Sequence, residues 1–390
     1  MHARIDERVL ILRPDNLGDM VLFSGALRHL RKLYPHAEVA LCAQDAVHNY
    51  LELCPCVDRI VSWKLLRLAV RNETPMPFLD RIPAFKGLWR VREPLRRLMS
   101  ARARRCCAAE TILLPLRAPD YDACRAVQRL QARRKVAIVG DTSNQTGLVA
   151  NNWADTLTDR LPMDDRLSLC HELEITRSFL GLLGLHLTAS DLWPEVWVSD
   201  QDRRWAREHI PLRCGEGEVV VAIAPGVTTP TGKQLPGSWY ATVFKGLVPR
   251  HYQVVVLGSK SDTPICAETA MQLRCCANVV QVRNLAGQTT IREMIEGLRR
   301  CDIALGADAA ALHIAVTLGK PTVALVGGGH PGRFYPWGDP EINRVVTHRL
   351  PCYGCNWRCL YSTFRCIQEI EPRGAAEELN LLIQRLTHTV

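Results

Sequence analysis

Residues 9–35, VLILRPDNLGDMVLFSGALRHLRKLYP, open with an unbroken apolar run, pass through a polar turn and continue with apolar residues at helical spacing. A strand buried on both faces reads as such a run, and the helix that covers it reads with a period near 3.6. The next apolar segment, EVALC from Glu38, completes a βαβ unit. A dinucleotide-binding turn after the first strand would need G-x-G-x-x-G, and this turn offers only Gly18. In place of glycines a carboxylate, Asp19, stands at the start of the helix, where the local positive potential favours its ionised form. Position alone leaves two readings, a helix cap or a base at the edge of a ligand crevice.

The pattern continues in both directions. TILL at 111–114 and KVAIVG at 135–140 read as later strands of the N-terminal half. The C-terminal half is more regular. A strand at 219–224 leads through the loop PGVTTPTGKQLPG to a helix for which Ser238 is the expected N-cap. QVVVLG at 253–258 precedes a helix with Pro264 in its first turn, and NVVQV is followed by a helix in which Thr290 and Glu293 have capping-box spacing. CDIALG, the helix AALHIAVTLG closed by Gly319, and PTVALVG complete the alternation. Continuous apolar strands alternating with helices imply parallel sheets covered on both faces, hence an α/β protein. Two αβ domains are expected, with the junction in the polar segment 193–217, and residues 375–386 form a terminal helix that packs on either one.

Composition sets the bounds. The 390 residues, 47% hydrophobic and 23% charged, suffice for two cores and argue against extensive disorder. No apolar run approaches the roughly 20 residues that cross a bilayer, and MHARIDER is too charged for a signal-peptide core, so a cytoplasmic location is expected. Sixteen cysteines in a reducing compartment read as buried small residues plus one metal-like cluster, not as a disulfide framework. The formal charge of +9 points to an anionic partner, whether phosphate, lipid head group or nucleic acid.

In open parallel sheets, ligands bind beyond the carboxyl ends of the strands. The strand-end loops are therefore the candidate sites. In the loop after 224, Lys233, the hydroxyls of Thr228, Thr229 and Thr231, and backbone donors at Gly226 and Gly232 suit a diphosphate, although a loop lysine is also commonly just solvated. The loop lacks Walker spacing. Asp308 ends a strand and His313 follows on the first turn of the next helix, where a histidine serves either as a cap or as a ligand contact.

Taken in order, RPDNLGDMV, TTPTGKQLP, LGSKSD, NLAG and DAAALHIAVTLGKPTVALVG resemble the motifs of glycosyltransferase family 9, the ADP-heptose heptosyltransferases of lipopolysaccharide core synthesis. The resemblance covers the first 60 residues and most of the C-terminal half. It implies a GT-B fold, two Rossmann-like domains facing across a cleft, with an acceptor-side domain over 1–200 and a nucleotide-sugar domain over 201–390. It further implies inverting transfer of a heptose-type sugar from an ADP-sugar to a lipopolysaccharide core or to another glycan or protein hydroxyl. Asp19 would be the base. Lys233 with Thr228 and Thr229 would neutralise the departing diphosphate, so no metal is expected at the transfer site. Asp262 would bind the ribose hydroxyls, and Asp308 and His313 would lie near the sugar and phosphates. Where the family has Thr-Gly after the aspartate, this chain has Ala309 and Ala310. A nucleotide-sugar epimerase of the same architecture, needing no acceptor, is the alternative activity. A catalytically retired sugar-nucleotide-binding subunit is the other, hinted at only by the two alanines. Nucleic acid is not an expected partner.

Two segments carry further chemistry. PCYGCNWRCLYSTFRC, in the Cys-rich segment 351–367, spaces Cys352, Cys355, Cys359 and Cys366 as C-x2-C-x3-C-x6-C. Four soft ligands on short chelate loops suit a closed structural zinc or iron site, while reduced thiols or a disulfide formed on isolation are the other readings. Some relatives that glycosylate autotransporter adhesins look similar in carrying a C-terminal iron-binding cysteine finger. Residues 86–105 hold eight basic residues and one acid, interleaved with Leu88, Trp89, Leu95 and Leu98. Such a run is either a solvated helix face or an amphipathic segment that places the protein peripherally on the anionic inner face of the membrane.

Overall fold

The structure is a computed structural model and describes residues 7–71, 107–144, 152–210, 217–227 and 233–388. Thr228, Thr229 and the basic segment 86–105 lie outside these residues. The chain divides into two compact units, Met1–Leu192 and Trp193–Val390.

The first unit is built on a six-stranded parallel sheet of β1 (Arg8–Leu12), β2 (Glu38–Ala43), β3 (Arg59–Ser62), β4 (Thr111–Leu114), β5 (Arg134–Val139) and β6 (Asp159–Pro162), in the order β3-β2-β1-β4-β5-β6. Leu10 of β1 lies opposite Ala40 on one side and Ile112 on the other. Val9, Leu10, Ile11 and Leu12 are all buried, as an apolar strand covered on two faces must be. The helix Leu17–Leu33 returns across the sheet, burying Met20, Phe23, Leu27 and Leu30 at spacings of three and four, with Arg31 and Lys32 favourably placed in its last turn.

The second unit repeats the arrangement with β7 (Glu218–Ala224), β8 (His251–Val256), β9 (Val279–Asn284), β10 (Ile303–Ala307), β11 (Thr322–Leu325) and β12 (Asn343–Val346), ordered β12-β11-β10-β7-β8-β9 and parallel throughout. Counted from its own first strand, each sheet runs 3-2-1-4-5-6, the doubly wound order of Rossmann folds. The order reverses between β1 and β4 in one unit and between β7 and β10 in the other. Loops leaving the strands at such a point diverge and open a crevice.

Local signals behave as the chain suggests, with one correction. Thr290 and Glu293 form the expected reciprocal capping box ahead of the helix Ile291–Arg300, and Gly319 closes the helix Ala310–Thr317 with a φ of 68°. Ser238, however, is not a cap. The helix runs Gly237–Lys245 behind Pro236, and its first amide is satisfied from a neighbouring helix, where Glu268 Oε1 accepts from the Gly237 N–H at 2.8 Å. A Cβ at Gly237 would stand 2.8 Å from the Thr269 backbone, so glycine is what lets the two helices meet. Within 193–217 lies a helix, Asp200–His209, capped by Ser199 and Asp202 and tied to the second unit by Arg292 Nε, 3.2 Å from Asp202. The terminal helix Pro372–His388 packs in the second unit's core through Ala375, Ala376, Leu379 and Ile383. Among the described residues, no helix is long and apolar enough to cross a membrane.

Candidate functional site

In the first unit the strand-order reversal is occupied by a buried cation. Arg13 follows β1 and continues its ladder, its amide donating to Cys42 O at 2.9 Å. Its side chain is 1% exposed. Nε stands 2.6 Å from Asp15 Oδ2, Nη2 donates to Glu172 Oε1 at 3.1 Å, and Nη1 donates to the carbonyl of Pro115, the residue after β4. The guanidinium also lies 4.8 Å from the Phe23 ring centroid. One side chain thus pins the loops on both sides of the reversal. Burial alone would lower the pKa of Arg13, but Asp15, Glu172 and Asp19 outweigh it and leave the group more firmly charged.

Asp19 is therefore part of a cluster in which three carboxylates surround one guanidinium. It sits in the first turn of the helix Leu17–Leu33, behind Asn16 at the N-cap, whose side chain makes no capping bond. Arg13 opens the motif RPDNLGDMV without any role being read for it there, and Glu172 lies in no motif. An arginine at the end of an apolar strand is a weak signal, and Glu172 lies 159 residues away.

In the second unit the reversal gathers Lys233, Asp308 and His313. Lys233 comes at the end of the loop after β7, Asp308 directly follows β10, and His313 lies in the first turn of the helix Ala310–Thr317. His313 Nε2 is 3.5 Å from Asp308 Oδ1. The other ring nitrogen, Nδ1, accepts from Trp337 Nε1 at 3.0 Å. Because an indole nitrogen can only donate, Nδ1 must be the acceptor and the ring proton is carried on Nε2, towards Asp308. The ring is 3% exposed and stacks on Tyr335, with centroids 4.7 Å apart and planes 19° from parallel. Burial pushes the Lys233 ammonium down to about 8, against the opposing pull of Asp308 and then of Cys366 and Cys355. Ala309, at the N-cap of the helix, has no side chain with which to satisfy the first amides, leaving them to backbone, water or an anion.

Asp262 lies on the neighbouring strand-end loop. Its Oδ2 accepts from the Ser259 amide and hydroxyl at 2.8 and 2.6 Å, a capping box that stiffens the loop after β8. The carboxylate lies against Gly226, where a Cβ would fall 2.3 Å from Asp262 Cγ. The turn after β7 thus has to be glycine for this aspartate to reach the crevice.

Cys352, Cys355, Cys359 and Cys366 line one cavity of about 10 Å³, room for a single small ion or water. Burial raises the pKa of the Cys366 thiol. Among the described residues, no three His, Cys, Asp or Glu side chains stand at the spacing of a formed coordination sphere. The donor set has the chemistry of a zinc or iron site, and the sulfurs share a space that the loop would have to tighten around an ion. The same loop carries Trp357, which sequence reading passes over as a spacer between cysteines. Its indole lies over Lys233, with Nζ 3.3 Å from the ring centroid.

Comparison with known proteins bears on the family and the fold. The profile of the family described as glycosyltransferase family 9 (heptosyltransferase) matches residues 123–357. Lipopolysaccharide heptosyltransferase 2 of Escherichia coli (strain K12) is 23% identical over 388 residues, spanning 96% of this chain and 98% of that protein. The solved E. coli ADP-heptose lps heptosyltransferase II gives a TM-score of 0.66 at 19% identity, covering 97% of this chain and 99% of that one. The bacterial iron-containing dodecameric glycosyltransferase TibC from enterotoxigenic E. coli H10407 gives 0.54 at 13% identity, over 98% of this chain and 80% of that one. At these identities the structural likeness shows the fold, a GT-B pairing of two Rossmann-like units.

Proposed function

This chain belongs to glycosyltransferase family 9, and from that premise we propose that it transfers a heptose from ADP-heptose, with inversion, to a hydroxyl of a lipopolysaccharide-type core saccharide. The observation that most supports the reading is the grouping of Lys233, Asp308 and His313 where the strand order of the second unit reverses, the usual ligand address of such a sheet. The relatives named as lipopolysaccharide heptosyltransferases supply the donor and the acceptor class.

In the proposed reaction the acceptor oxygen attacks the anomeric carbon of the donor. Its proton passes to the Asp19 carboxylate, and the bond from the anomeric carbon to the phosphate oxygen breaks with its electron pair leaving on ADP. Lys233 neutralises the charge that grows on that diphosphate, the electrostatic service a metal ion gives elsewhere. Asp262 takes the ribose hydroxyls. The Asp308 and His313 pair orients the sugar and phosphates, with the His313 Nε2–H as a fixed donor. The first amides of the helix Ala310–Thr317 offer the phosphates a partner that the missing threonine would otherwise supply. Thr228 and Thr229 are proposed to assist from the part of the loop outside the described residues.

Titration calorimetry with ADP and ADP-heptose, followed by a transfer assay on heptose-deficient core saccharide, tests the reading. Binding of both nucleotides and release of ADP only when acceptor is present is the expected result. ADP-heptose altered without acceptor would favour the epimerase alternative, and no binding of either nucleotide would overturn both.

A structural zinc or iron on Cys352, Cys355, Cys359 and Cys366 is a separate proposal, supported by their shared cavity and by the iron-containing TibC among the structural relatives. Metal analysis of protein purified under argon without chelator should find one equivalent that is lost when Cys355 and Cys359 become Ser. Metal-free protein with all four thiols reactive would sink the idea. A peripheral contact of residues 86–105 with anionic lipid is likewise proposed, from composition.

A further inference from the structure

We propose that Trp357 is a positioning residue for Lys233, holding its ammonium where the donor diphosphate must meet it. The inference rests on the phosphate role given to Lys233 above and adds a partner to it. The contact is well inside the roughly 6 Å over which a cation is drawn to an aromatic face, at 3.3 Å from Nζ to the ring centroid. Indole is the strongest of the side-chain π faces.

The indole is held from several directions. Its Nε1 donates to His330 Nδ1 at 3.1 Å, and Phe364 meets it edge-on with centroids 5.7 Å apart. It lies directly on the Gly329 backbone, where a Cβ would fall 2.2 Å from the ring atoms. The chain beneath it is in an uncommon state. Asn356 and Trp357 have φ of 50° and 58°, the left-handed region that residues other than glycine seldom occupy. Two backbone bonds hold them there, the Gly354 N–H to Gly328 O at 2.7 Å and the Asn356 N–H to Gly329 O at 2.9 Å. Consecutive left-handed residues set the indole facing the lysine.

The type of side chain also matters. A carboxylate in this place would occupy the ammonium's N–H groups and cancel the charge that a phosphate needs. An aromatic face attracts the cation without accepting a directional hydrogen bond, so the lysine keeps its donors for phosphate oxygens. Asp308, which also acts on Lys233, has His313 beside it.

ADP affinity of the full chain, measured by calorimetry as a double-mutant cycle, tests the assignment. Trp357→Leu should weaken ADP about three- to tenfold, while Trp357→Phe, which keeps a π face, should stay within about twofold of wild type. In the Lys233→Ala background, Trp357→Leu should cost nothing further. Fluorinated tryptophans placed at position 357 alone change the face electrostatics at nearly constant shape, so affinity should fall stepwise with fluorine number even if the leucine variant does not fold. Equal losses from Trp357→Leu with and without Lys233, or affinity indifferent to fluorination, would overturn the positioning role alone. If Lys233→Ala binds ADP as wild type does, the phosphate role fails and the positioning role with it.

Discussion

Asp19 shares the field of Arg13 with Asp15 and Glu172, and its replacement should separate binding from chemistry. Asp19→Asn keeps the shape and removes the proton acceptor. Turnover should fall by about 10² to 10⁴, the usual contribution of a general base, while ADP affinity stays unchanged. Wild-type turnover in this variant would reduce Asp19 to a helix-start residue. Lys233 is the residue to probe with pH. With its ammonium pushed down to about 8, it is charged below that pH and loses its proton as pH rises through it. ADP affinity should accordingly be level at about pH 6 to 7 and decline above about 8, and the decline should vanish in Lys233→Ala. A flat profile in the wild type would remove Lys233 from the phosphates. Asp19, Lys233, Asp308 and His313 could be picked out in the sequence because each lies on the segment between a strand end and the first turn of the next helix. Arg13, Glu172, Trp337 and Trp357 could not, because their importance lies in contacts between segments distant in sequence.

The strands show the same division between what is local and what is not. The first, second and fourth strands of each unit carry apolar runs of three or more residues that mark them in the sequence. β3, β6 and β12 carry no such run, and all three are outer strands of their sheets, where only β9, with VVQV, comes close to one. An edge strand is covered less completely, so its sequence need not be apolar throughout. β6 is DRLP, half exposed along its length, and its proline is tolerable only at an edge. At the centre of the second sheet the constraint is opposite. A Cβ on Gly306 would fall 2.3 Å from Ala224 O and 2.9 Å from Leu312 Cδ2. Gly306→Ala should therefore cost about 1 to 3 kcal/mol in urea denaturation, as overpacking does. It should also weaken ADP binding, since Asp308 lies two residues on. A variant as stable as wild type would show that β7 and β10 can part freely.

For the whole molecule, the charge of +9 is concentrated partly in 86–105, outside the described residues, and what it meets is a question for the intact chain. If that segment docks on lipid, the protein should sediment with anionic vesicles at low salt and be released at high salt, each basic side chain near the surface adding about 1 kcal/mol before screening. Failure to sediment even at low salt would point to a soluble acceptor. The two sheets, meanwhile, match strand for strand: β1 corresponds to β7 and β4 to β10, so the turn bearing Asp19 and the loop bearing Lys233 occupy equivalent addresses. The equivalence sets a carboxylate in one unit at the address where the other unit carries an ammonium. If, as proposed, the first unit meets the acceptor and the second holds the donor, a chimera joined between Leu192 and Trp193 should take the acceptor of one parent and the donor of the other.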